Sequence, residues 1–289
     1  MTSNGASSDT LLRPLQPDKV NNTSTANAYA VDLACILAKN LVTVLTKNSE
    51  KLIRSLGLRK NRKKSGFFVA EGLKLVTDFL SAGFRPENIY ATTELPQAFS
   101  KASCTLISEV EMKRITFLET PSPVLAVFNM PESSLASFRD APLILVLDRV
   151  QDPGNVGTLL RTALWYGVEH IALIVGTADV WSPKVVQSSM SALAHVQVVA
   201  LSEEEWLDWA NVHGKSWVVA DMNGTPAREF EWQPGQMLVM GNEGGGASDA
   251  LKQRGQKITL PGDASKMESL NVAVSGATLL YEYALSAKP

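Results

Sequence analysis

Three short stretches hold the side chains best placed to do chemistry. The first runs Asp148-Arg149-Val150-Gln151-Asp152-Pro153-Gly154-Asn155-Val156-Gly157 and leads to Arg161. Pro153 and Gly154 set a turn, and Asn155 is a good helix cap. Arg161 lies inside the helix predicted to follow. A helix start with free amides plus an arginine can hold a phosphate or another anion. Taken alone, this stretch also fits an ordinary capped helix with a surface arginine. The second stretch is Gly241-Asn242-Glu243-Gly244-Gly245-Gly246-Ala247-Ser248. Its glycines let the backbone approach a ligand closely. No Lys-Ser or Lys-Thr follows them, so it is not a P-loop, and the spacing is not that of a dinucleotide fold. The plainer alternative is a flexible connection. Glu243, among bare amides, can cap, touch a ligand or orient a neighbour. The third stretch follows the Pro261-Gly262 turn and reads Met267-Glu268-Ser269-Leu270-Asn271-Val272-Ala273-Val274. Ser269 fits a simple N-cap as well as a site residue. Asn271, opening a mostly apolar helix, is harder to explain as solvation.

All three stretches need strands before them and helices after them. Leu143 to Leu147 is a continuous apolar run, as expected of a strand buried on both faces of a parallel sheet. Further strands are predicted at His170 to Val175, Val196 to Leu201, Ser216 to Ala220, Met237 to Met240 and Lys257 to Leu260. Helices are predicted at Val156 to Tyr166, Pro183 to Ala194 and Asn271 to Leu285. This order implies a mainly parallel sheet covered by helices, in which ligands bind beyond the carboxyl ends of strands. Upstream, a basic helix from Lys47 to Lys64 leads to a strand-like Phe67 to Gly72 and a helix from Leu73 to Ala82. Gly83 sits where a C-cap glycine would. Short strands at Asn88 to Thr92, Thr105 to Ser108 and Val124 to Phe128 complete a small α/β unit. Pro131-Glu132-Ser133-Ser134 reads as a linker.

The 289 residues suffice for two domains of ordinary size. The net charge of −2 argues against a uniformly basic nucleic-acid coat and leaves room for a local basic patch. The densest positive run is Arg59-Lys60-Asn61-Arg62-Lys63-Lys64, a solvated helix end or a phosphate-binding surface. Cys35 and Cys104 are far apart, and His170, His195 and His213 form no zinc-type cluster, so no metal site is expected. No apolar run approaches a membrane span. Residues 1–28 read as disordered and lack the pattern of a secretory signal. A transit peptide has little support, since Arg13 is the single arginine there. Tyr29 to Thr46 is largely apolar and fits a short helix or a strand. A cytoplasmic location is expected.

Asn155-Val156-Gly157 with Arg161, Gly241-Asn242-Glu243-Gly244 and Ser269-Leu270-Asn271 together resemble the three motifs of the SpoU (TrmH-like) family of RNA ribose methyltransferases, in the SPOUT superfamily. Their order and spacing fit over residues 143–286. Pro183 to Met190 is similar to the family's segment between its first two motifs. The family often has glycine where this chain has Ser191, a departure expected to cost little. Phe67 to Gly72 and the following helix are similar to the family's N-terminal RNA-recognition domain. Many relatives begin near the position of Leu41, so the tail before it is an extension that the resemblance does not explain.

The resemblance implies an α/β fold whose C-terminal, mainly parallel sheet carries helices on both faces and a deep trefoil knot. A small ribosomal-protein-like α/β domain precedes it. The implied division is a flexible extension at 1–40, an RNA substrate-binding domain at 41–131 and the methyltransferase domain at 142–289. It further implies S-adenosylmethionine held largely by backbone groups, which map to Gly241, Leu260 and Leu270. It implies a homodimer with sites near the subunit interface, and no metal. The implied reaction is methyl transfer to a ribose 2′-hydroxyl of ribosomal or transfer RNA; the motifs serve both. Arg161 is the main catalytic candidate. Since a guanidinium stays protonated, phosphate binding and oxyanion stabilisation suit it better than the role of a base. Asn155, Glu243, Ser269 and Asn271 would position it, the cofactor and the ribose. Arg59, Lys60, Arg62, Lys63 and Lys64 would contact RNA. Two other readings stay open at this level: a non-catalytic RNA-binding or ribosome-assembly factor that keeps the fold, and a nucleotide-dependent oxidoreductase.

Overall fold

A computed structural model describes residues 44–95, 103–263 and 265–286. The expectations for the tail and for most of the apolar stretch after it, together with Cys35, fall outside these residues.

The first sheet has strands β1 (Phe67–Glu71), β2 (Pro86–Ala91), β3 (Cys104–Leu106) and β4 (Val124–Asn129), in the order β1-β4-β2-β3. Helices α1 (Lys47–Ser55), α2 (Arg59–Ser65), α3 (Leu73–Ser81) and α4 (Glu109–Ile115) accompany it. The basic stretch is therefore two helices. Leu56 turns fully into the core, and a Cβ on Gly57 would stand 2.9 Å from the Phe117 ring, so the chain breaks there. Gly83 follows α3 at φ +88°, the left-handed geometry expected of it.

The second sheet has β5 (Leu143–Asp148), β6 (His170–Ile174), β7 (Gln197–Leu201), β8 (Ser216–Pro226), β9 (Gln236–Met240) and β10 (Gln256–Thr259). Their order is β10-β8-β9-β5-β6-β7, and every pairing is parallel. Its helices are α5 (Pro153–Trp165), α6 (Pro183–Ser188), α7 (Glu203–Val212), α8 (Asp249–Arg254) and α9 (Val272–Ser286). All of β5 is buried. Leu143, Leu145 and Leu147 enter one core while Ile144 and Val146 enter the core on the opposite face. That two-sided burial is why the strand is an unbroken apolar run rather than an alternating one. The helix expected over Pro183 to Ala194 stops at Ser188. Met190 (φ +49°) and Ser191 (φ +76°) turn left-handed, and a short 3-10 turn, Ala192–Ala194, follows.

The two sheets share one core. Phe68, Ile89, Ala126 and Phe128 of the first join Leu145, Leu159 and Leu160 of the second unit. Phe68 and Trp181 lie 4.7 Å apart between ring centroids. Arg62 donates from Nη2 to Asp179 Oδ2 at 2.6 Å, and Ser191 donates to Asp78 at 2.6 Å. Among the described residues no helix is long and apolar enough to cross a membrane.

Candidate active site

The three motif stretches leave β5, β9 and β10 at the carboxyl edge of the second sheet and meet at Asn155. Asp152, not Asn155, caps α5: its Oδ1 accepts the Asn155 amide at 2.8 Å, and Pro153 takes the first helical turn. Asn155 therefore sits inside that turn with its side chain free. Its Nδ2 donates to Glu243 Oε1 at 2.9 Å, and its Oδ1 accepts from Asn271 Nδ2 at 3.1 Å. Asn271, rather than Ser269, caps α9, its Oδ1 accepting from the amides of Ala273 (2.9 Å) and Val274 (3.3 Å). That cap fixes which way the Asn271 amide points. Its NH2 must face Asn155 Oδ1, which turns the Asn155 NH2 onto the Glu243 carboxylate. One directional chain of hydrogen bonds thus joins all three motifs.

Below this chain lies a group that the sequence reading left without a role. Asp148, fully buried at the end of β5, accepts from Arg149 Nε (2.7 Å) and Nη2 (2.9 Å) and from the Ser248 amide (2.8 Å). Arg149 is left-handed at φ +56°, and its carbonyl accepts from Asn242 Nδ2 at 2.9 Å. Both ends of the glycine-rich loop are so tied to the first motif stretch. Within the loop, Asn242 and Gly246 exchange backbone hydrogen bonds, and the Gly244 amide donates to Asn242 Oδ1 at 2.9 Å. A Cβ on Gly241 would stand 2.1 Å from the Ala247 nitrogen, so the loop closes over a bare backbone. An acidic residue ending a fully apolar strand was the available signal for Asp148.

Two more glycines set the helices at close range. A Cβ on Gly157 would fall 1.9 Å from Ser188 Oγ, and one on Gly276 would fall 2.3 Å from Leu159 Cδ2. These contacts pack α6 and α9 against α5, fixing Asn155 relative to Asn271. At Ser191, where the family often has glycine, the backbone is left-handed, which costs an L-residue about 1–2 kcal/mol. The hydrogen bond to Asp78 offsets part of it.

Arg161 lies on α5 beyond Asn155, exposed, and makes no hydrogen bond or ion pair among the described residues. Ser269 and Leu270 are exposed in irregular chain before α9, Leu260 is half-buried just after β10, and Gly241 is buried. Of the basic residues expected to contact RNA, Arg59, Lys60, Lys63 and Lys64 are exposed. Arg62 is not available: it is 2% exposed, with Nε and Nη2 on Asp179 and Nη1 on the Leu56 carbonyl. Its guanidinium holds the two sheets together. Burial pushes the Cys104 thiol up, which keeps it protonated and unreactive.

A parallel sheet whose three loops are wired together beyond its carboxyl edge defines a ligand-binding α/β enzyme architecture. Residues 142–281 match the SpoU rRNA methylase family, and residues 47–126 match an MRM3-like substrate binding domain. The chain is 35% identical over 235 residues to RlmP of Bacillus subtilis (strain 168), a 23S rRNA (guanosine(2553)-2′-O)-methyltransferase. That alignment covers 79% of this chain and 92% of RlmP. An AdoMet-bound rRNA methyltransferase from Sinorhizobium meliloti superposes with a TM-score of 0.77 at 28% identity, covering 86% of this chain and 98% of that one. A TrmH-family protein from Porphyromonas gingivalis superposes with a TM-score of 0.73 at 36% identity, covering 83% and 98%. The chain belongs to the SpoU rRNA methylase family.

Proposed function

We propose that this protein is an S-adenosylmethionine-dependent methyltransferase acting on a ribose 2′-hydroxyl of ribosomal RNA. The observation that carries this reading is the Asn271–Asn155–Glu243 chain, which gathers the three family motifs at one edge of the sheet. Bound S-adenosylmethionine supplies a methyl group already activated by the positive charge on its sulfur. The residues present fit it: the bare Gly241 backbone lets the glycine-rich loop close tightly on itself at the end of β9, and Leu260 and Leu270 lie outside regular elements, with main chain not committed to a helix or strand. Main-chain groups of these three would hold the cofactor. The rest of the task is alignment of the ribose oxygen and stabilisation of negative charge on it. Arg161 anchors the adjacent phosphate and faces the developing oxyanion. Asn155, Glu243 and Asn271 hold the loops in register, with Ser269 beside them.

The same reading includes a trefoil knot through the cofactor loops, a substrate-binding domain at 41–131, a methyltransferase domain at 142–289 and a cytoplasmic location. It also includes a homodimer. Trp165 is 83% exposed one turn beyond Arg161 on the same face of α5, and Val274, Tyr281 and Leu285 of α9 are exposed nearby in the packing. A partner covering this face would bury the apolar groups and bring the Arg161 site to the interface.

The test incubates labelled S-adenosylmethionine with unmodified total RNA, separates the RNA by size, and includes Arg161→Ala. Label is expected in ribosomal RNA. In the variant, transfer should fall by about two to three orders of magnitude, as when an oxyanion donor is lost, with cofactor affinity kept. Label in transfer RNA alone would refute the ribosomal substrate. Absence of label with retained cofactor binding, on naked RNA and on assembling ribosomal particles, would refute transfer itself.

A further inference from the structure

A cleft beside α2 plays no part in the mechanism. It lies between the two sheets, has a volume of about 200 Å³, and is lined by Ile174 and Val175 at the carboxyl end of β6 and by Val198 and Ala200 of β7. Its rim carries Arg59 and Lys63. These two are four residues apart and so share one face of α2, together with Arg62. Arg62 also lines the cleft, but Asp179 neutralises it at 2.6 Å. The rim is therefore left with two positive charges that make no ion pair among the described residues. Lys60 and Lys64 do not line the cleft.

We propose that this cleft receives one unstacked base of the RNA substrate, close to the nucleotide being methylated, with Arg59 and Lys63 on its flanking phosphates. The inference rests on the RNA-methyltransferase reading above. Three features converge on it. The volume is below the roughly 300–1,000 Å³ of pockets that bury a whole drug-sized ligand, so it suits a single flat ring system. An apolar floor under a cationic rim matches a base joined to phosphates, and single-stranded RNA is read through splayed bases. The position is also right. β6 pairs with β5, the strand that feeds the first motif stretch, and β7 pairs with β6. At about 4.8 Å between strands the cleft floor lies roughly 5–10 Å from β5. The loop at its lip is bonded to that stretch: Thr177 Oγ1 accepts from the Arg149 amide at 3.0 Å, and the Ala178 amide donates to the Val150 carbonyl at 2.9 Å.

The test compares wild type, Ala200→Trp, the pair Arg59→Ala/Lys63→Ala and the pair Lys60→Ala/Lys64→Ala. Ala200 is exposed, so the added indole fills the cleft without entering a core. The probe is an unmodified ribosomal RNA transcript carrying 4-thiouridine, read by filter binding over a salt series and by cross-link mapping. Wild type should cross-link through peptides at the ends of β6 and β7. Ala200→Trp should lose that cross-link and raise Kd for the transcript by roughly 5- to 160-fold, the range for losing one seated base. S-adenosylmethionine affinity should stay within twofold. Arg59→Ala/Lys63→Ala should lower the slope of log K against log salt by about 1.4, two phosphates' worth. Lys60→Ala/Lys64→Ala should keep the cross-link. An Ala200→Trp protein with wild-type Kd and an intact cross-link overturns the proposal, as does wild type cross-linking only outside the cleft. Failure of wild type to bind cofactor or transfer methyl would instead sink the functional reading, and binding and cross-linking are scored separately from it.

Discussion

Asn155 is where the wiring of the site is most exposed to test. Replacing it by alanine removes a donor to the Glu243 carboxylate and an acceptor for Asn271. A hydrogen bond to a charged group contributes about 1.5–3 kcal/mol and a neutral one about 1 kcal/mol. Glu243 is exposed to water, so the lower figure applies, and the pair together contributes roughly 2.5 kcal/mol to holding three loops in register. If that order is needed only when the ribose is aligned, kcat for Asn155→Ala falls by about 60-fold at saturating substrates. Cofactor affinity changes little, because Gly241 and its loop remain tied through Asn242 and Asp148. Asn155→Asp separates geometry from charge. It keeps the acceptor for Asn271 but sets a second carboxylate beside Glu243, so that repulsion replaces the lost hydrogen bond. Asn155→Asp should therefore be at least as slow as Asn155→Ala, although it is closer to asparagine in shape. The assay is steady-state transfer of labelled methyl to unmodified ribosomal RNA, with calorimetric cofactor affinity alongside. Asn155→Ala within twofold of wild type in both kcat and KM would refute the reasoning.

Other outcomes follow from buried charge. Arg62→Ala strands Asp179 at the joint between the sheets and should cost about 3 kcal/mol, within the range for breaking a buried pair; melting should drop by roughly 6–12 °C, and a drop under 2 °C would remove Arg62 as the clasp. Glu71 is buried in β1, with its carboxyl pushed up by burial against hydrogen bonds from Thr116 Oγ1 and the Phe117 amide, which pull it down. Since its folded pKa exceeds the ordinary value of 4.5, the folded state holds the proton more tightly. Stability contributed by that proton is full below 4.5 and lost as pH rises through the raised value. Denaturant titrations across this window should show the decline in wild type and not in Glu71→Gln; equal pH profiles would contradict the raised value.

The sequence by itself determined most of the elements around the site. The run Leu143 to Leu147 is expected to be a strand buried on both faces, and it is. The same logic placed the other parallel strands within a residue or two, except that β8 runs on to Pro226. Glycine and proline punctuation marked the motif stretches, because turns and bare backbone need those residues locally. Local signals missed α4, α7 and α8, which are short or carry acidic first turns that read as loop. They also favoured Asn155 as a cap and left Ser269 open as one, where Asp152 and Asn271 do that work, since several cap-forming residues crowd each loop and spacing cannot rank them.

Tertiary structure alone decided the site's wiring. Asn155 meets partners 88 and 116 positions away, and only a sheet with β9 beside β5 brings Glu243 into reach. Five cationic residues in one short run are alike in sequence. Asp179, 117 positions on, selects Arg62 for the interior and leaves Arg59 and Lys63 facing the cleft. Hydrophobic period is a property of neighbours along the chain, whereas the partner of a polar group is set by which distant strand packs beside it.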